Sequence, residues 1–347
     1  MLAATVIALL GLTACTAQID DGLPSADHVD LATDTAIRST ILDFSHDGWL
    51  AVSRVIDDNN RSDAVLLFLP VAEGSPFSAA KRLLQLTNGE EMLVTDVDQS
   101  DRYVAAAIQG SSPREGRIVV WDRKTGELAL QFDFSIGDSD VTDLATHVVF
   151  SADGSTLMAR NVIGEIAAWD IATAVQLYRT QLNPGLGPYR LDEQTVVVTY
   201  ANPTNVDETL MEARNIATGT TVWAQSIEGD VQQLAVSDES HRIALLVDGS
   251  LTIFDNAGTA QGAPVDVDEE PLDMVFNRDG SAVTIATLQG GLVTVRAGAV
   301  EERAAIRESI TALAWSPVEP LLLAIPSVDV GAYWRADNVM AWRLGHV

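Results

Sequence analysis

Lysine is nearly missing from this chain. Lys81 and Lys124 are the only two, and 49 acidic residues face 21 lysines and arginines, for a net charge of −28. That much negative charge repels phosphate backbones and anionic headgroups, which excludes nucleic acid as a partner and leaves a well-solvated surface. Cysteine occurs once, at Cys15. A single thiol can form no internal disulfide and no thiolate metal cluster. The five histidines, His28, His46, His147, His241 and His346, are scattered, with no two at metal-ligand spacing. No Gly-x-Ser-x-Gly elbow is present, so the usual serine-hydrolase signature is missing. The acidic string Asp57-x-Asn59-x-x-x-Asp63 lacks the glycine and the bidentate glutamate of a calcium loop. We therefore assign no cofactor, no metal and no catalytic residue from the sequence.

The N-terminus carries an address. Residues 1–14, MLAATVIALLGLTA, hold no charged side chain, and their apolar stretch is shorter than the roughly 20 residues a membrane-spanning helix needs. They match the apolar core of an export signal and run into Leu12-Thr13-Ala14-Cys15. This string resembles the bacterial lipobox, in which the cysteine receives diacylglycerol and becomes the mature N-terminus. The resemblance implies lipidation at Cys15, palmitate among the acyl chains, and a place on the extracytoplasmic side of a membrane. Two acyl chains suffice for stable anchoring without a helix. No basic residue precedes the apolar core, so we expect the natural start codon to lie upstream. Residues 15–34 are acidic and contain Gly, Pro and Ser, the composition of a solvated tether.

The rest of the chain repeats. Short apolar runs end in turn-forming clusters at Phe44, Val97, Phe150, Leu191, Val236, Phe276 and Trp315, at intervals of 39 to 53 residues. A second set of markers, Phe68, Trp121, Trp169, Arg214, Phe254, Val295 and Trp342, recurs at 40 to 53. Two rulers with the same count predict seven four-stranded blades, an all-β propeller over residues 35–347. The third copy is the clearest. Phe150-Ser151-Ala152-Asp153-Gly154 is a turn, Thr156–Asn161 a strand, and Glu165–Asp170, with Trp169-Asp170, the next strand. The strings FSADG and IAAWD resemble the WD40 repeat family, which implies a seven-bladed ring used as a non-catalytic protein-interaction scaffold. No repeat carries the Gly-His dipeptide of full WD40 repeats ahead of its first strand, and the only Gly-His in the chain is Gly345-His346 near its end, so blades here rely more on apolar packing. Blade 4 reads Arg214-Asn215-Ile216-Ala217-Thr218-Gly219-Thr220-Thr221-Val222-Trp223. It is similar to the tryptophan-docking repeat of quinoprotein-like propellers, a family that includes outer-membrane assembly lipoproteins. Only this copy ends in tryptophan, and seven copies with FSxDG strings favour the WD40 reading.

The chain stops soon after the third strand of blade 7, so closure requires a strand from upstream of blade 1, expected near residues 29–37. In an antiparallel meander the b–c and d–a connections leave one end, and the a–b and c–d turns the other. Four blades carry long b–c connections, at residues 57–63, 110–116, 202–208 and 328–338. They are expected to share one face, with blades 7, 1 and 2 adjacent. Blade 7 contributes Tyr333, Trp334 and Arg335, residue types enriched at binding hot spots. Arg114, Asp57 and Asp58 would flank them. The expectation is a lipid-anchored, monomeric ring that binds a protein partner in the cell envelope. Two alternatives stand beside it: an envelope-assembly lipoprotein, and a propeller hydrolase or lactonase with dispersed acidic residues in the channel.

Overall fold

The computed structural model describes residues 27–28, 41–55, 62–68, 81–85, 93–109, 116–134, 145–267, 269–305, 309–318, 321–329, 334–336 and 340–343. Six antiparallel four-stranded sheets, each in chain order a-b-c-d, follow one another. They begin with Leu42–Phe44, Leu50–Val55, Ser62–Phe68 and Lys81–Gln85 as blade 1. Blade 7 is built from Ser309–Trp315, Leu321–Asp329 and Met340–Arg343, and its outer strand is Asp27–His28 from the far end of the sequence. Asp27 pairs with Ala341 and His28 with Met340. The ring is thus closed by an N-terminal strand, as expected, but one that lies upstream of residues 29–37 and inside the stretch read as tether. The backbone of Met340–Arg343 needs a partner along its outer edge, and the two residues that reach it are Asp27 and His28.

The cores lie between blades. Seven clusters of buried side chains each join two neighbours, and the seventh joins the last blade to the first: Leu50, Val52, Leu66 and Phe68 meet Ala312, Leu321, Leu323 and Ile325. Middle strands are therefore covered on both faces, which explains why they read as unbroken apolar runs rather than alternating ones. In Tyr103–Gln109, Val104, Ala106 and Ile108 face blade 1 while Ala105 and Ala107 face blade 3. Between blades 2 and 3, Trp169 stacks on Phe132 at 4.9 Å and meets Phe134 edge-on at 5.6 Å.

The repeated strings are turn clips. In blade 3, Thr156 N–H donates to Ser151 Oγ at 3.0 Å, and Ser151 Oγ donates to Asp153 at 2.7 Å. Gly154 takes φ +67°, a region L-residues avoid. Blade 1 repeats the clip with Ser45, Asp47 and Trp49. The aspartate of Trp-Asp caps the c–d turn, with Asp122 Oδ1 accepting the N–H groups of Lys124 and Thr125. Asn215 accepts from Ala217 and Thr218 in the same way, so the blade that lacks Trp-Asp keeps the turn. All seven strand-c markers fall in strand c. Six of the seven strand-a markers fall in strand a, and Leu191 directly follows Tyr189–Arg190.

One marker is displaced. The blade 2 turn runs from Ser100 to Tyr103, so the residue equivalent to Phe44 and Phe150 is Gln99, not Val97. The apolar Val97 drew the eye because the true position carries an amide.

Outer strands dock aromatics onto the next blade. The Trp223 indole donates to Asn256 O at 2.8 Å, and its ring sits where a Cβ on Gly258 would fall 3.0 Å away. Tyr178 does the same one blade earlier, donating to Ile216 O at 3.0 Å against Gly219. Blade 4 is therefore not alone in this feature, and the docking occurs within a seven-bladed ring.

Candidate functional site: the channel and its two mouths

Inner strands a share a recurrent bulge. The register slips at Thr95, Thr146, Gln232, Leu272 and Thr311, in blades 2, 3, 5, 6 and 7. A bulge re-aims the residue that follows it, here Asp96, His147, Gln233, Asp273 and Ala312. The slipped threonines also serve the ladder: Thr95 Oγ1 donates to Ala107 O at 3.3 Å and Thr311 Oγ1 to Ile325 O at 3.4 Å.

The re-aimed side chains bridge blades. Asp96 Oδ2 accepts Val148 N–H at 2.9 Å, and Asp98 Oδ2 accepts Phe150 N–H at 2.6 Å. Asp273 Oδ2 accepts Leu313 N–H at 2.6 Å, and Gln233 Nε2 donates to Leu272 O at 3.0 Å. Gln99 Nε2 donates backwards to the Asp43 carbonyl and carboxylate, both at 3.0 Å. Adjacent blades share no sheet ladder, so polar backbone on the channel wall has no strand partner across the gap. These side chains supply it. His147 lies 3.5 Å from Asp96 and 5.5 Å from the Tyr189 ring.

The channel lined by Asp43, Asp96, Asp98, His147 and Asp273 has a volume of about 540 Å³. Its chemistry is acidic around one cation. Burial, then the Asp98 charge, pushes the Asp43 carboxyl well above its usual range against the Gln99 hydrogen bond. Burial lifts Asp98 to about 6 despite Arg190 and the Phe150 N–H. It lifts Asp273 to about 6 despite the N–H groups of Leu313 and Met274. Arg190 ion-pairs with Asp238 at 2.7 Å. Burial alone would depress the guanidinium, but Asp98, Asp238 and Asp43 hold it above its ordinary value. Among the described residues no group of three or more histidines, cysteines or carboxylates is placed to hold a metal ion.

The b–c face carries the long connections. In blade 7, Leu321–Asp329 runs nine residues. Its first part pairs with Met340–Arg343, and its far end pairs with Trp334–Ala336 through Ser327 with Ala336, Val328 with Arg335 and Asp329 with Trp334. The connection thus folds back as a hairpin arm beyond the blade, and Trp334 and Arg335 are on it. In blade 4, Asn202 Oδ1 accepts from Thr204 N–H, Asn202 Nδ2 donates to Glu208, and Val206 at the tip is 92% exposed. Cys15, Asp57, Asp58, Arg114 and Tyr333 lie outside the described residues. The structure thus places two of the six residues expected on the rim.

The channel residues were missed in the sequence, yet a signal exists. Once Gln99 is taken as the blade 2 marker, the position three residues before each marker is Asp96, His147, Gln233 and Asp273 in blades 2, 3, 5 and 6. A polar residue at a fixed offset inside an apolar strand is a legible sign of a channel wall.

These features define a seven-bladed WD40-like β-propeller. No protein-family model matches the chain, and no curated protein does. Among solved structures, it is similar to the Myceliophteria thermophila Cps50 (Swd1) β-propeller domain, with a TM-score of 0.66 and 14% identity over 94% of this chain and all of that one. It is also similar to a chain of a mitotic checkpoint complex, with a TM-score of 0.64 and 12% identity over 99% and 98% of the two chains. At such identities the likeness concerns the fold.

Proposed function

We propose that this protein is a non-catalytic scaffold that binds a protein partner through the b–c face and is held to the extracytoplasmic side of a membrane by lipid on Cys15. The observation that carries the reading is the blade 7 arm. A ring needs four strands per blade, and Trp334–Ala336 is a fifth, built from a connection the scaffold does not require. Extra structure on a connection that bears Tyr333, Trp334 and Arg335 is suited to recognition. The solved structures it resembles include a chain of a multi-protein assembly, which agrees with a scaffold role. The channel carboxylates favour this reading over a hydrolase: Asp96, Asp98 and Asp273 each give an oxygen to a neighbouring blade's N–H and so act as braces. A second reading, envelope assembly in the manner of quinoprotein-like lipoproteins, draws on the docked Trp223.

Two experiments test the proposal. Replacing Tyr333, Trp334 and Arg335 together by alanine should abolish cross-linking to the envelope partner while leaving the melting temperature unchanged. A large loss of stability would make these residues core and remove the arm from recognition. Cys15→Ser should abolish labelling by radioactive palmitate and release the protein from the membrane fraction; retention of label would refute anchoring there.

A further inference from the structure

We propose that the cavity at the a–b mouth of the channel, on the face opposite the blade 7 arm, binds a short neutral saccharide. The cavity measures about 810 Å³, inside the roughly 300–1,000 Å³ span of small-ligand clefts. Its walls include Phe44, Phe276 and Trp315, supplied by the strand-a markers of blades 1, 6 and 7. Aromatic faces suit a ligand that has an apolar C–H face of its own. The polar lining is of both kinds. Arg190 is committed to Asp238. Arg278 has a single contact, 3.4 Å to the Val318 carbonyl, and His46 and Glu239 have none among the described residues.

Charge decides the class of ligand. Two arginines and three carboxylates line the cavity, a near balance in a chain of net charge −28. An anion would meet Asp238, Glu239 and Asp279; a cation would meet Arg190 and Arg278. A hydroxyl both donates and accepts, so a neutral polyol uses the two sets together without leaving either charge opposed. An apolar ring face with hydroxyls around its edge is the chemistry of a sugar.

This site is separate from the proposed partner face, so each can fail alone. Calorimetric titration of the full-length protein in detergent with cellotetraose, maltotetraose and chitotetraose tests it. At least one should bind at about 1 mM or tighter, and Glu239→Gln and Arg278→Gln should each weaken it about tenfold. Both side chains belong to exposed residues, so the melting temperature should not move. The alanine variant of Tyr333, Trp334 and Arg335 should bind the sugar unchanged. No binding of any of the three, or binding indifferent to Glu239→Gln and Arg278→Gln, overturns the proposal. Tighter binding of an uncharged tetrapeptide at the same residues overturns it too, and gives the cavity to a protein partner.

Discussion

Arg123 grips Asp47 with two nitrogens, each 2.7 Å from a carboxylate oxygen, and lies 4.9 Å over the Trp49 ring. The pair joins the c–d turn of blade 2 to the a–b turn of blade 1. It uses the aspartate of one repeated string and the residue directly after Trp-Asp in another. Bidentate geometry fixes the angle between the two turns as well as their distance. It gives blades 1 and 2 a polar lock at the turns, beside the channel-wall bridges that join other blades.

The two halves of that pair should not be equivalent. The Arg123 side chain is 5% exposed and that of Asp47 is 43% exposed. Asp47→Ala strips a largely buried guanidinium of its bidentate carboxylate, and should cost about 2–3 kcal/mol. Arg123→Met keeps the packing on Trp49 and leaves a carboxylate that water can solvate, and should cost about 1–2 kcal/mol. Urea denaturation of both and of the double variant gives the coupling. Burial alone would raise the Asp47 carboxyl, but hydrogen bonds from Arg123 and Ser45 and the Arg123 charge hold it below its usual value. The pair's contribution is therefore present above the ordinary carboxylate range and is lost as pH falls through the lower folded value.

Asp273 should act with the opposite sign. Burial raises it to about 6 and no cation offsets that, only the N–H groups of Leu313 and Met274. A carboxyl that binds its proton more tightly in the folded state makes the folded state more stable when protonated. Its contribution therefore declines as pH rises from about 4 to about 6. Asp273→Asn keeps an acceptor for Leu313 N–H, gives up the one for Met274 N–H, and removes the charge. It should raise stability at pH 7 by on the order of 2 kcal/mol and flatten the stability profile across that window. An unchanged profile would mean that the wall at Asp273 is wetter than its burial implies.

The ring was legible because its signals are chemical and local. Ser151, Asp153 and Gly154 build a turn whatever surrounds them, and Trp169 is large enough to mark a buried strand wherever it occurs. Seven copies of weak local signals sum to one strong statement about topology. The channel was illegible for the opposite reason. Asp96, Asp98 and Asp273 act across blade gaps, on N–H groups 40 to 52 residues away, and nothing within one repeat requires them. The displaced marker at Gln99 hid their common offset. The rim was legible only as lengthened connections. That the blade 7 connection forms a strand of its own depends on Leu321–Asp329 overrunning its blade, which a run of apolar residues does not announce.

Arg160 is a second residue whose role no local pattern discloses. It sits mid-strand in Thr156–Asn161, fully buried, and donates to three carbonyls: Leu186 and Thr199 from Nη1 at 2.6 and 2.9 Å, and Asn183 from Nη2 at 2.7 Å. It pins the blade 3–blade 4 crossing to the wall of blade 4. Burial lowers its pKa to about 10, so the charge remains at neutral pH. Arg160→Met fills most of the volume but removes the guanidinium donor from all three carbonyls, of which Leu186 O keeps Thr199 N–H at 2.9 Å. The expected cost is about 3–4 kcal/mol by chemical denaturation, among the largest of any single change in the ring. A loss below about 1 kcal/mol would mean that water takes over all three carbonyls.

Closure gives the sharpest test of the architecture. Asp27 and His28 are the whole of the fourth strand described in blade 7, paired to Ala341 and Met340. A truncation that starts the chain at residue 26 keeps them; one that starts at residue 30 removes them and bares the outer edge of Met340–Arg343. An unpaired edge of that kind recruits other strands. The shorter chain should therefore lose several degrees of melting temperature and self-associate in sedimentation, while the longer one matches the full protein as a monomer. Cys15 is missing from both, so the difference isolates the strand from any effect of the proposed anchor. If both truncations behaved alike, Met340–Arg343 would be an adequate edge by itself, and the two ends of the chain would not need to meet.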